Sequence, residues 1–146
     1  MKFKFIAPKD PEYDAECMLR WEVLGKPNGL PPGSEVVPED KHSLHLIAME
    51  GKQIVGCICF SAETQGAGQV FQMALSEDYR GRGFGRKLLH TLEQQLFKQG
   101  VRDVYVYAQQ EVEGFYSKMG YHSEGESIKR NGAACRLMKK SIRHLA

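Results

Sequence analysis

The amino-acid sequence predicts a mixed α/β fold in a single domain spanning residues 1–146. Three observations predict it. Apolar residues recur at helical spacing in three segments, strand-like runs fill the intervals between them, and short glycine-containing turns join successive strands. A chain of 146 residues can build one substantial core, and its 42% apolar and 26% charged residues are ordinary for a globular protein.

The first element is a helix over residues 12–24, "EYDAECMLRWEVL", where Ala15, Met18, Leu19 and Val23 share one face. It gives way to "GKPNGLPPGSEVVPED", whose four prolines and three glycines predict a loop broken by a short helical turn. A loop this long inside a compact domain usually has a task such as covering a site. Three strand-like runs follow, "SLHLIAM", "IVGCICFSA" and "QVFQMALS", and their short separations predict an antiparallel meander. From Gly83 to Lys98 the residues Phe84, Leu88, Leu89, Leu92, Leu96 and Phe97 form one apolar stripe, with Gly100 at the C-cap position. "DVYVYAQ" predicts a strand, "EVEGFYSKMG" a short helix ended by Gly120, and "YHSEGES" and "AACRLMKKS" a final pair of strands. The expected order is α-β-β-β-α-β-α-β-β.

Bulk properties exclude several function classes. A net charge of +2 does not fit a dedicated nucleic-acid or membrane protein. No window approaches the about 18 consecutive apolar residues of a membrane span, and the N-terminus has no secretory pattern. A cytoplasmic location is the expectation. Cys17, Cys57, Cys59 and Cys135 lack the paired spacing of a zinc site and the five histidines lack ligand spacing, so no metal is expected. The thiols read as small buried hydrophobes in a reducing compartment.

The segment "DYRGRGFGRKLL" (78–89) sets Gly81, Gly83 and Gly85 among Arg80, Arg82, Arg86 and Lys87 at the mouth of the long helix. A helix N-terminus offers unpaired N–H groups and partial positive charge, and glycine lets the main chain approach an anion closely. The composition suits a phosphate or diphosphate; a flexible basic surface turn is the alternative. The glycine spacing matches neither a P-loop nor the dinucleotide fingerprint.

"RGRGFG" matches the Arg/Gln-x-x-Gly-x-Gly/Ala signature of the GCN5-related N-acetyltransferases, with Arg80, Gly83 and Gly85 at the signature positions. "FQMALSEDYRGRGFGRKLLHTLE" resembles that family's fourth strand, turn and third helix, and "AQQEVEGFYSKMGY" resembles its later strand-helix block. The likeness covers roughly residues 44–140, and Ala108-Gln109 with Gly125-Glu126 is similar to the ElaA-like group. The resemblance implies a mostly antiparallel twisted sheet flanked by helices, with acetyl-CoA in an opening between the fourth and fifth strands. It implies that the main chain of Met73, Ala74 and Leu75 pairs with the pantetheine arm. Arg80, Gly81, Arg82, Gly83, Phe84 and Gly85 would receive the diphosphate, with Arg86 at the helix start and Gln109 where many members carry a cofactor-touching asparagine.

Tyr116 falls on the family's tyrosine, placed to protonate the departing coenzyme sulfur, while Phe115 reads as a packing partner. The implied reaction is direct attack of a primary amine on the thioester in a ternary complex. A lysine-like amine of pKa about 10.4 is neutral in only about one part in a few thousand at pH 7, so it needs a base more than an α-amino group does. Members often carry a strand glutamate for this; here Gln72 occupies the neighbourhood and cannot take a proton. His45, Glu111, His122 and Glu124 are the remaining candidates, each also readable as a surface or strand residue. Where the ElaA-like group has Gly-Ile-Pro-His, this chain has "GAAC" ending at Cys135, read as a core thiol. Trp21 and Glu22 would line the acceptor pocket or, for Trp21, the core. The acceptor, a small molecule or a peptide amino group, stays open, as does the oligomeric state, with a homodimer as one option. The alternative function is a non-catalytic acetyl-CoA sensor, because an intact diphosphate turn serves either. A third reading, a nucleic-acid patch at Arg80 to Lys87, is disfavoured because it lacks the interleaved aromatics and wider basic surface such binding normally needs.

Overall fold

The computed structural model describes residues 1–130 and 132–143. Its strands are β1 (Lys2–Ile6), β2 (Leu44–Glu50), β3 (Gln53–Thr64), β4 (Ala67–Leu75), β5 (Asp103–Gln109), β6 (His122–Arg130) and β7 (Ala133–Ser141). Its α-helices are α1 (Tyr13–Arg20), α2 (Phe84–Lys98) and α3 (Gln110–Lys118). The strands form one mixed sheet in the order β1-β2-β3-β4-β5-β7-β6, and the class is α/β with flanking helices, as expected. The expected run of elements is present, preceded by β1, a strand absent from the sequence reading. By contact density the chain forms two compact units, Met1–Ser61 with Phe71–Glu93, and Ala62–Val70 with Gln94–Ala146.

In the first unit, β2 pairs antiparallel with both β1 and β3. Residues 54–60 of β3 are all buried, which explains why "IVGCICF" is an unbroken run of apolar residues and glycine rather than an alternation. Ile6, Leu19, Ile47, Ile54, Cys57 and Ala74 form a core cluster, with Tyr13, Val23, Leu24 and Met49 packed against it. The α-helix α1 is shorter than its apolar periodicity. The chain passes into a π-helical turn at Trp21–Gly25 and a 3₁₀ turn at Lys26–Asn28, ending on Gly29 at φ 74°. The Pro/Gly-rich loop carries a second 3₁₀ turn, Pro38–His42, with proline at its start.

A charged network lies inside this unit. Arg20 is fully buried, as are Glu16 and His45, and Asp40 is 2% exposed. Arg20 Nη1 donates to Asp40 at 2.8 Å and to the Glu35 carbonyl at 3.2 Å. Its Nη2 donates to Glu16 and to Cys59 Sγ, and lies 3.2 Å from His45 Nδ1. The Tyr13 hydroxyl donates to Asp40 at 2.5 Å. His45 Nε2 donates to the Asp40 carbonyl at 2.9 Å, and its Nδ1 stands 3.0 Å from Glu16. Burial alone would oppose the imidazolium, but Glu16 and the Asp40 carbonyl outweigh it and raise the His45 pKa. Burial would likewise raise Asp40, yet hydrogen bonds from Arg20 and Tyr13 bring its carboxyl below the ordinary value.

In the second unit, Ala67–Gln69 of β4 run parallel to Asp103–Tyr105 of β5. β5 pairs antiparallel with β7 along its whole length, and β6 follows on β7 with an irregularity between Glu124 and Ile128. Gly120 ends α3 at φ 95° in a Schellman motif. Its N–H bonds the Ser117 carbonyl at 3.1 Å, and the Tyr121 N–H bonds the Tyr116 carbonyl at 3.0 Å. The motif stacks Tyr121 edge-on to Tyr116, ring centroids 5.4 Å apart. Gly100 ends α2 in the same way, with Val101 N–H on the Leu96 carbonyl.

Two glycines in this segment should respond oppositely to alanine. Gly114 is exposed inside α3 with open space around it, so Gly114→Ala is expected to raise stability by about 0.5–1 kcal/mol. Gly120→Ala forces a left-handed alanine against Lys140 and should cost about 1–2 kcal/mol. Urea unfolding of both variants checks the pair, and a shift of the same sign in each would contradict it.

The network sets a pH dependence. His45, with its pKa raised on folding, stabilises fully below about pH 6.5 and loses that contribution as pH rises through its folded value. Asp40, with its pKa lowered, stabilises fully above about pH 3.9 and loses that contribution as pH falls through its folded value. Unfolding free energy should therefore decline on the alkaline side of about pH 6.5, and His45→Gln should flatten that decline. Equal slopes for the two proteins between about pH 6 and pH 9 would refute the assignment.

Candidate functional site

The basic glycine turn joins β4 to α2. After Leu75 the chain makes a 3₁₀ turn, Glu77–Tyr79, and then a tight turn through Gly81 and Gly83, at φ 71° and 82°. A Cβ at either glycine would meet nothing within 4 Å, so the left-handed backbone, not crowding by the protein, calls for glycine. Phe84 opens α2, and Gly85 lies in its first turn. No acidic residue stands in that turn, which leaves the positive end of the helix dipole uncompensated.

Arg80, Arg82 and Arg86 are exposed around this helix start. Arg80 Nε donates to the Leu75 carbonyl at 2.9 Å, bracing the strand end against the turn. The Arg82 guanidinium lies over both Tyr79 and Phe84, 5.4 and 5.1 Å from the ring centroids. The cations are thereby held on the turn's surface. Met73, Ala74 and Leu75 lead into it. Gly56 of β3 lets β4 come close here, since a Cβ on it would sit 3.0 Å from Leu75 Cδ1 and 3.3 Å from Ala48 Cβ. The residues expected to hold the pantetheine and diphosphate are therefore contiguous on one strand-turn-helix segment. The arrangement can present main-chain donors and positive charge to an anion.

Gln109 and Tyr116 belong to the second unit. Gln109 is the exposed last residue of β5, at the N-cap of α3. Tyr116 is 4% exposed and packs edge-on to Phe115, with centroids 5.1 Å apart. Burial pushes its phenol pKa upward, so the proton stays on at neutral pH. Phe115 is the packing partner that the sequence indicated.

The candidate bases fare differently. His45 is committed to the buried network rather than to a surface. Glu111, His122 and Glu124 are exposed, and Glu124 pairs with Lys139 at 3.1 Å. Trp21 is half-buried, its indole N–H donating to the Leu30 carbonyl at 2.9 Å, so it braces the loop instead of filling the core. Cys135 is buried, and burial raises its thiol pKa, as expected of a core thiol and not of a nucleophile. Cys17, Cys57 and Cys59 are also buried and free. Glu16, His45 and Cys59 bring donor atoms within 4.8 Å of one another. Nη2 of Arg20 already contacts all three, so a guanidinium serves them as the cation.

Sequence reasoning missed that Glu35 of the loop meets Gln72 of β4, whose Nε2 lies 3.4 Å from the Glu35 carbonyl. The only available signal was the length of the loop. No helix among the described residues is long and apolar enough to cross a membrane.

Comparisons with known proteins agree with this fold. An acetyltransferase (GNAT) domain model matches residues 33–142. An uncharacterized acetyltransferase of Streptococcus pyogenes serotype M1 is 24% identical over 104 residues, 71% of this chain and 73% of that protein. Among solved structures, an acyl-CoA N-acyltransferase from Pseudomonas aeruginosa superposes with a TM-score of 0.83 at 21% identity, covering 95% of this chain and 98% of the other. ElaA of Escherichia coli superposes with a TM-score of 0.82 at 17% identity over the same shares. With a family model spanning most of its length and carrying the glycine turn, this chain belongs to the GNAT acetyltransferase family.

Proposed function

We propose that the protein is an acetyl-CoA-dependent N-acetyltransferase acting on a primary amine by direct attack within a ternary complex, with residues 1–146 working as one catalytic domain. The observation that carries this reading is the turn itself: two left-handed glycines and three exposed arginines at an acid-free helix start, at the end of β4. Such a turn matches a doubly charged diphosphate through main-chain N–H groups, with the guanidinium groups adding forked donors. In this reading the main chain of Met73, Ala74 and Leu75 binds the pantetheine arm, and Gln109 contacts the coenzyme. Support for a coenzyme A thioester comes from the family and from the acyl-CoA enzyme of like fold.

Tyr116 supplies the proton to the leaving sulfur. Burial keeps the phenol in its protonated form at neutral pH, the form that a proton donor requires. Attack by the amine needs no covalent enzyme intermediate, which agrees with the buried, protonated state of Cys135. The sensor reading draws on Gln72, an amide where a carboxylate would serve turnover. Thiol release with a panel of amines separates the two.

Gly83→Ala is expected to weaken acetyl-CoA binding at least about tenfold in calorimetry while the protein stays folded. Tyr116→Phe should leave that affinity unchanged and lower kcat about 100-fold. Coenzyme binding without thiol release on any amine, together with an inert Tyr116→Phe, would establish the sensor instead.

A further inference from the structure

The strand that leads to the coenzyme turn is disturbed at one point. Gln72 has φ 53°, the single non-glycine residue with positive φ among those described. A side chain held in this region persists only where its surroundings fix it. The fixing contacts are on both sides. The Gln72 carbonyl accepts from the Cys57 thiol at 3.4 Å, and its Nε2 donates to the Glu35 carbonyl at 3.4 Å. That same carbonyl accepts from the buried Arg20 Nη1 at 3.2 Å.

Glu35 is thus pinned through its main chain by a strand and by a helix, and its carboxylate is left for other use. Oε1 accepts from the Gly33 N–H at 3.2 Å. Oε2 is out of contact with solvent and has no hydrogen-bond partner among the described residues. A desolvated carboxylate oxygen without a donor is poised for one, and an ammonium group supplies both the donor and the opposite charge.

Resting on the acetyltransferase reading, we propose that Glu35 receives the ammonium group of the acceptor and takes its proton, supplying from the loop the carboxylate that β4 lacks at Gln72. The acceptor is then a primary amine that arrives as a cation. Oε2 takes one proton from the ammonium, and the freed nitrogen lone pair forms the C–N bond to the thioester carbonyl carbon. The carbonyl pair moves to oxygen, returns, and the C–S bond breaks with its pair on sulfur. The nitrogen sheds a second proton, the sulfur gains one, and Glu35 returns its proton to water. The sum is an ammonium ion and acetyl-CoA giving an amide, coenzyme A and one proton.

The test is Glu35→Gln, which keeps the main-chain carbonyl held by Arg20 and Gln72 and removes only the charge. Thiol release is followed with spermidine, tyramine and a lysine-containing peptide from about pH 6 to pH 9, and acetyl-CoA affinity is measured alongside. Wild type should show a kcat/KM that stays level below the amine pKa instead of following the neutral amine. Glu35→Gln should fall about 100-fold or more at neutral pH and rise tenfold per pH unit, following the neutral amine, with coenzyme affinity within about twofold. An unchanged rate and profile in the variant overturns the inference and leaves the acetyltransferase reading standing. So does a wild-type profile that rises tenfold per pH unit throughout, or a variant that loses coenzyme binding. Bound coenzyme with no turnover of any of the three amines by wild type overturns both.

Discussion

The first unit depends on one buried cation. Arg20 is taken wholly out of water; its Nη1 and Nη2 are held by Glu16 from its own helix, Asp40 and the Glu35 carbonyl from the loop, and Cys59 from β3, while its Nε has no partner among the described residues. A guanidinium removed from water without partners would cost several kcal/mol, so these groups must arrive together. The long Pro/Gly-rich loop is thereby tied to the core at two points rather than lying loosely on the surface. His45 completes the set by facing two ways. Charged, its Nδ1 donates to Glu16; neutral, it accepts from Arg20.

This commitment decides what remains for chemistry. Glu16, Asp40 and His45 are engaged with Arg20 or with one another, although Glu16 Oε1 and Asp40 Oδ1 are buried without a partner among the described residues, and burial raises the Cys57 pKa to about 12 and that of Cys59 well above its ordinary value. The candidate anion site of this unit lies in main-chain geometry around β4, where Gly56 permits close packing, Gln72 takes a positive φ and Gly81 and Gly83 shape the turn. Side chains set the main chain, and the main chain forms the candidate anion site.

Legibility in the sequence followed locality. Residues 103–109 read as β5 to the residue, because alternation over seven residues is complete within the segment itself. The stripe of α2 and its glycine cap were equally plain. β1 was not, since "KFKFI" has only five residues and its antiparallel pairing with β2 draws on residues 45–49, far along the chain. The end of α1 was misjudged because a π-turn at Trp21–Gly25 keeps the main chain helical, so the apolar spacing continues past it. The burial of His45 could not be foreseen, as its partners Glu16 and Arg20 stand 29 and 25 residues away. The candidate site was legible where it is a motif, at residues 80–86, and illegible where it rests on a contact between distant parts of the chain. Glu35 carries no motif, and nothing near Gln72 in sequence announces a left-handed backbone.

Charge placement along β4 follows from these constraints. Gln72, which holds the Glu35 loop, and Leu75, which receives Arg80, are three residues apart on one strand, a separation of about 10 Å. That is close to the Debye length of about 8 Å at physiological ionic strength. A carboxylate in the first turn of α2, where none stands, would weaken the field offered to a diphosphate. In the proposed reading the loop carboxylate is instead anchored through its main chain at Gln72, away from the turn. On that reading a cationic acceptor and an anionic coenzyme would be served beside a single strand without the two receptors neutralising each other, with the amide at Gln72 holding them apart. A glutamate side chain in its place would set a carboxylate against the Glu35 carbonyl, two acceptors with no proton between them.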